Sequence, residues 1–210
     1  MSEFKFKVLM LESCTAREWV QMWADQYPSD DESEYEHLVS NYTRPSSEYF
    51  VRIGKWKDRA ETENRWRPNV ASVAYKTWMV AAEKLPRCPP EDSLVQFLED
   101  WSNRKAAYNF RNGNMQERRF GLSRATTLLH FISGGKYPIF DSRVRTALTR
   151  LCSPPPAADA TPGNYVKVYC PLITKLAIDC GVENEPRTLD KALFSYGSSK
   201  SWSYNIPPDL

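Results

Sequence analysis

Apolar residues recur at helical spacing along most of this chain, and that periodicity constrains the fold more than any motif does. Val70, Val73, Ala74 and Ala81, with Thr77 between, fall three and four residues apart. The same rhythm links Ala125, Leu128, Leu129 and Ile132, then Val168, Leu172, Leu176 and Cys180, then Leu189, Ala192, Leu193 and Tyr196. Such spacing draws one stripe along a helix of 3.6 residues per turn. Between the stripes stand helix stops: Pro86 with Pro89 and Pro90, Gly113, Gly134 and Gly135 with Pro138, and Pro154 through Pro156 followed by Pro162 and Gly163. Proline has no N–H to continue a helix, and glycine reaches the backbone angles that end one. Only residues 4–10 carry a strand-like pattern. The expectation is a single all-α domain over residues 1–210, a bundle of roughly eight to ten helices. Residues 152–164 are expected as a surface loop, 28–34 as an acidic one, and 198–210 as an irregular tail.

Charge is distributed unevenly. Residues 104–150 hold ten Lys and Arg against two acids, Glu117 and Asp141, while residues 13–38 hold seven acids and one base. A net charge of +2 therefore conceals a basic segment suited to a polyanion. The five cysteines, Cys14, Cys88, Cys152, Cys170 and Cys180, are odd in number and form no C-x-x-C, which predicts free thiols in a reducing compartment. The apolar run near the start is too short for a signal peptide, and Lys76 breaks the apolar stretch at 70–82. The expectation is a cytoplasmic protein with no membrane span.

Within the basic segment, residues 116–120 are expected as a short helix, closed by a turn at Gly121 and followed by a helix over 123–132. A helix start exposes unpaired N–H groups and the positive end of its dipole, an arrangement suited to phosphate. Arg118, Arg119, Ser123 and Arg124 flank that point. Asp141 opens the next helix, DSRVRTALTRL, with Arg143 and Arg145 close behind. Two readings stand there. One is an N-cap, since an Asp oxygen accepts backbone N–H groups. The other is a catalytic carboxylate that stabilises a developing cation. DNA, or alternatively RNA, is the expected partner.

Residues 115–151 resemble the helix-hairpin-helix DNA glycosylase superfamily, whose pattern is a hairpin L-P-G-V-G, a helix, a loop and an Asp opening another helix. Gly121 matches the second hairpin glycine, and Asp141 follows it by twenty residues. The resemblance implies a helix-hairpin-helix bundle in which Asp141 stabilises the sugar cation formed as a flipped base leaves. Arg119 stands where the family has its first hairpin glycine, and no proline precedes it. Ser123 stands where bifunctional members have a Schiff-base lysine, and the family's iron–sulfur cysteines are absent. The implied activity is thus that of a monofunctional, cofactor-free N-glycosylase, with a non-catalytic nucleic-acid-binding module of the same fold as the alternative. Residues 50–196 also resemble a group of bacterial proteins sharing a W-K motif, a following Asn and R-x-L-D-x-A-L-[WF]-x-Y. Here these are Trp56 and Lys57, Asn64, and the run from Arg187 through Asp190 and Phe194 to Tyr196.

Trp56, Lys57 and Asn64 are the candidate base pocket, with Trp56 stacking on a base and Lys57 meeting phosphate or a sugar aldehyde. The plainer reading places Trp56 in the core at a helix end, and Asn64 at a helix cap. Arg187 and Asp190 are three apart and suit an ion pair on one helix face. The two histidines, His37 and His130, are expected in the core or at the surface. With no His/Cys/Asp cluster at ligand spacing, no metal site is expected. No G-x-S-x-G, G-x-x-x-x-G-K-[ST] or G-x-G-x-x-G occurs, so hydrolase-fold, NTPase and Rossmann functions lack support.

Overall fold

The computed structural model describes residues 5–10, 14–27, 32–40, 47–58, 89–103, 105–109, 115–156 and 159–199. The stripe at 70–81, Asn64, Cys88 and the tail beyond 199 lie outside the described residues. Most described residues are helical, joined by two short antiparallel strand pairs. The chain divides into two compact units, one of residues 1–28 with 138–210 and one of residues 29–137.

In the first unit, β1 (Lys5–Phe6) runs into a 3-10 turn (Lys7–Met10). Among the described residues of the strand-like pattern at 4–10, two form strand. They pair with β4 (Cys152–Ser153), Phe6 opposite Cys152. Helix α1 (Ala16–Ala24) opens on a capping box, in which Thr15 Oγ1 accepts from the Glu18 N–H and the Glu18 carboxylate accepts from the Thr15 N–H at 2.8 Å. Its buried face, Trp19, Val20, Trp23 and Ala24, packs on α9 (Pro186–Ser198), where both indoles meet the Tyr196 ring edge-on at 5.1 Å. Edge-to-face packing suits aromatic quadrupoles.

Helix α9 also packs on α6 (Ser142–Leu151), and Gly197 sets how closely. A Cβ added at Gly197 would lie 1.9 Å from the Arg143 carbonyl oxygen, so the two backbones touch where any side chain would keep them apart. At the other end of α6, Arg150 donates to the carbonyls of Tyr196 and Ser199, both at 3.1 Å, and satisfies the end of α9.

A short helix, α7 (Pro162–Asn164), continues through a widened π turn (Tyr165–Tyr169) into α8 (Cys170–Asp179). The widening has a local cause. Pro171 has no N–H for the Lys167 carbonyl, and its ring crowds that turn. Tyr165 and Tyr169, both fully buried, come from this turn.

The second unit holds α2 (Glu32–Ser40), α3 (Ser47–Asp58), α4 (Glu91–Asn103), the pair β2 (Lys105–Asn109) and β3 (Met115–Arg119), and α5 (Leu122–Ile132). Arg52 on α3 grips Glu34 on α2 with two bonds of 2.8 Å and meets His37 Nε2 at 2.9 Å. Every residue from Ala125 to Phe131 on α5 is buried, so this helix is the centre of its unit. Two threonines in that stretch, Thr126 and Thr127, satisfy their hydroxyls on the Ser123 carbonyl.

The short helix expected at 116–120 is instead β3. Its residues pair with β2 in antiparallel register, Arg119 opposite Lys105 and Arg118 opposite Ala106. Ladder hydrogen bonds to a neighbouring strand outweigh the high helical preference of MQERR. The sequence signal was Asn112 followed by Gly113, a dipeptide favoured in hairpin turns, which stands midway between the strands.

Candidate nucleic-acid interface

Gly121 joins β3 to α5, so the local unit is strand–glycine–helix and the helix–glycine–helix expected of a helix-hairpin-helix element is not formed here. The residue sits at φ 84° and ψ 155°, a region open to little but glycine. Its N–H donates to the Ser102 carbonyl at 3.0 Å, and its carbonyl accepts from the Ala125 N–H at 3.1 Å. Gly121 therefore spends its own N–H within the protein, tying α4 to the start of α5. As the N-cap residue, Gly121 has no side chain with which to cap α5. Around this start, Arg119 is exposed, while Ser123 and Arg124 are half-buried. Arg124 turns back to donate to the Phe120 carbonyl at 3.1 Å. The Arg118 side chain lies outside what is described.

Asp141 opens α6 as an N-cap. Its Oδ1 accepts from the Arg143 N–H at 2.9 Å and the Val144 N–H at 3.0 Å. The carboxylate also balances the positive end of the helix dipole. The loop leading to it is fixed from beneath: Tyr165 donates to the Pro138 carbonyl at 2.7 Å, and Phe140 stacks on Tyr169 at 4.3 Å. Asp141 and Arg143 belong to the first unit; Gly121, Arg119, Ser123 and Arg124 belong to the second.

Trp56 is 8% exposed, with its ring against Phe131 at 5.0 Å and Tyr35 at 5.7 Å. The plainer reading describes it: the indole is packed in the core of the second unit near the end of α3, and the base-stacking role expected of it has no surface to act from. Lys57 beside it is half-buried. Phe120 is likewise buried, against Trp101.

One constellation at this site has no local signal in the sequence. The Arg143 guanidinium lies 4.3 Å above the Phe194 ring, Phe194 meets Tyr27 edge-on at 5.1 Å, and Arg187 lies 4.7 Å above Tyr27. Arg187 is ion-paired with Asp190, both side chains nearly buried, as their spacing predicts. Arg143 is exposed and, among the described residues, pairs with no carboxylate. Phe194 falls within the R-x-L-D-x-A-L-[WF] motif. Nothing in the sequence couples it to Tyr27 and Arg143, which come from distant elements.

Other reactive side chains are quiet. His130 is buried, Nδ1 2.7 Å from the Tyr137 carbonyl and Nε2 2.9 Å from the Tyr35 hydroxyl. The carbonyl can only accept, so Nδ1 carries the proton and Tyr35 donates to Nε2. Burial pushes the thiols of Cys170 and Cys180 up to about 11 and that of Cys152 to about 12. Among the described residues, no group of three His, Cys, Asp or Glu is placed to hold a metal ion. None of the described helices is long and apolar enough to cross a membrane. Comparison with protein-family models, with curated proteins and with solved structures finds no match to this chain.

Proposed function

We propose that this protein binds nucleic acid through its basic segment. One observation carries the reading. Of the two acids among ten cations in residues 104–150, Asp141 is held as a helix cap, and the neighbouring Arg143 is exposed without a carboxylate partner among the described residues. Exposed, uncompensated cations release counterions when they meet a phosphate backbone, which makes binding strong at low salt and weak at high salt.

Within that reading, hydrolysis of an N-glycosidic bond is the activity favoured by Asp141 itself. A carboxylate fixed by two backbone N–H groups at the start of α6 keeps one orientation. In such a reaction the C1′–N bond breaks, the base leaves and takes up a proton, and a water oxygen bonds to C1′ while Asp141 balances the positive charge that grows on the sugar. Absence of an amine at Ser123 keeps the reaction monofunctional.

Incubating wild type and Asp141→Asn with duplexes that carry damaged or modified bases, then treating with alkali, separates these readings. Asn keeps the cap and removes the charge. Alkali-labile strands from wild type alone establish hydrolysis and name the base. Salt-sensitive binding by both proteins without cleavage leaves a binding module and reduces Asp141 to a cap. No salt-sensitive binding by either protein removes both readings.

A further inference from the structure

We propose that the Arg143–Phe194 pair is a stacking platform for an unpaired nucleobase of a single-stranded nucleic acid. This rests on the nucleic-acid reading above and assigns to Arg143 and Phe194 the stacking role that Trp56, buried in the other unit, does not offer.

The two arginines of the stack play different parts. Arg187 is neutralised by Asp190 and nearly buried, and its guanidinium covers Tyr27. That arrangement is a brace. Arg143 differs in each respect. It is exposed, unpaired with any carboxylate among the described residues, and held with its guanidinium 4.3 Å above the Phe194 ring. A planar cation has two faces. Its guanidinium is placed over Phe194 and its side chain is exposed, so a base can reach it from solvent. Phe194 is in turn fixed edge-on by Tyr27 at 5.1 Å. The platform is therefore preorganised, and a base that stacks on it does not bear the entropy of immobilising a free arginine. Bases stack on guanidinium planes as they do on aromatic rings, and the charge adds attraction for the strand.

Position adds to this. The Arg143 N–H holds Asp141 Oδ1 at 2.9 Å, so the platform and the carboxylate share one helical turn. The same turn touches Gly197 through the Arg143 carbonyl, which anchors it from behind. A base resting on Arg143 would thus lie beside the carboxylate that the glycosidic reading invokes.

The test compares a fluorescein-labelled oligothymidylate with a strand of equal length and charge built from abasic tetrahydrofuran residues, by anisotropy on the full chain. Wild type is expected to prefer the base-bearing strand by about 5- to 30-fold. Arg143→Lys, which keeps the charge and removes the plane, is expected to abolish most of that preference while changing affinity for the abasic strand by less than about 2-fold. Phe194→Leu, checked for folding by circular dichroism, is expected to do the same. Equal binding of the two strands by wild type, or a preference that survives in Arg143→Lys, overturns the platform and leaves the binding reading standing. Failure to bind either strand while a duplex of the same length is bound overturns the platform alone, and failure to bind all three overturns both.

Discussion

The Tyr165 hydroxyl donates to the Pro138 carbonyl at 2.7 Å, and this bond ties the buried π turn to the loop that delivers Asp141. Tyr165 is fully buried, so replacing it by Phe leaves the Pro138 carbonyl without that donor and also removes the hydroxyl's hydrogen bond with Cys170. Tyr165→Phe is expected to lower stability by about 1–2 kcal/mol, read as a drop in the urea midpoint at unchanged slope. An unchanged midpoint would mean that the loop is held by its apolar contacts alone.

Gly197 carries a sharper expectation. An alanine there places Cβ against the Arg143 backbone, which cannot yield as a side-chain tip can. Gly197→Ala should cost about 2–4 kcal/mol despite the higher helix propensity of alanine. The exposed neighbour Ser198 is the control: Ser198→Ala should stay within about 0.5 kcal/mol. Equal, small effects at both positions would show that α6 and α9 separate without loss.

Gly121 should resist substitution for a different reason. Nothing lies within 4 Å of an added Cβ, so no clash opposes a side chain. The backbone angle does, and Gly121→Ala is expected to cost about 1–3 kcal/mol, again by urea denaturation. Because its N–H bonds Ser102, the loss should appear as faster hydrogen exchange at the start of α5 before global unfolding.

Burial gives the thiols a pH signature. Cys152, ordinarily at 9.0, is raised to about 12, so the folded state holds its proton more tightly than the unfolded chain. Its contribution to stability is complete below about pH 9 and is lost as pH rises towards about 12. Cys170 and Cys180 act in the same direction up to about 11. The urea midpoint should therefore fall steadily from pH 9 upward. At pH 8 all three thiols should react with a disulfide reagent far more slowly in the native protein than in urea, since the thiolate is the nucleophile. Rapid native labelling of Cys152 would contradict its burial.

Much of the helical architecture was legible in the sequence because amphipathic stripes report their own burial. Leu128 and Leu129 on α5, Leu172 and Leu176 on α8, and Leu189 and Leu193 on α9 are all buried, as their spacing predicts. Asp141 as a cap was legible too, because capping is a local matter of one side chain and the next two N–H groups. The β2–β3 pair was not. Its stability comes from a partner strand rather than from MQERR, whose residues favour a helix. The stack of Arg143, Phe194, Tyr27 and Arg187 was also hidden, since no local pattern says which aromatic a distant arginine will cover. Trp56 shows the converse: a motif residue whose size made core burial the stronger pull.

The π turn at Tyr165–Tyr169 has a consequence for phase. A widened turn holds one residue more than an α-helical turn, and each helical residue advances the side chain by about 100°. Removing a single residue there would let the turn close to α-helical width and keep Leu172, Ile173 and Leu176 on the core. The same deletion within α8 has no widened turn to absorb it and would rotate the residues that follow by about 100°. The turn works as a spacer that keeps two halves of one helix in register with the same core, so loss of one residue should be tolerated there far better than in α8.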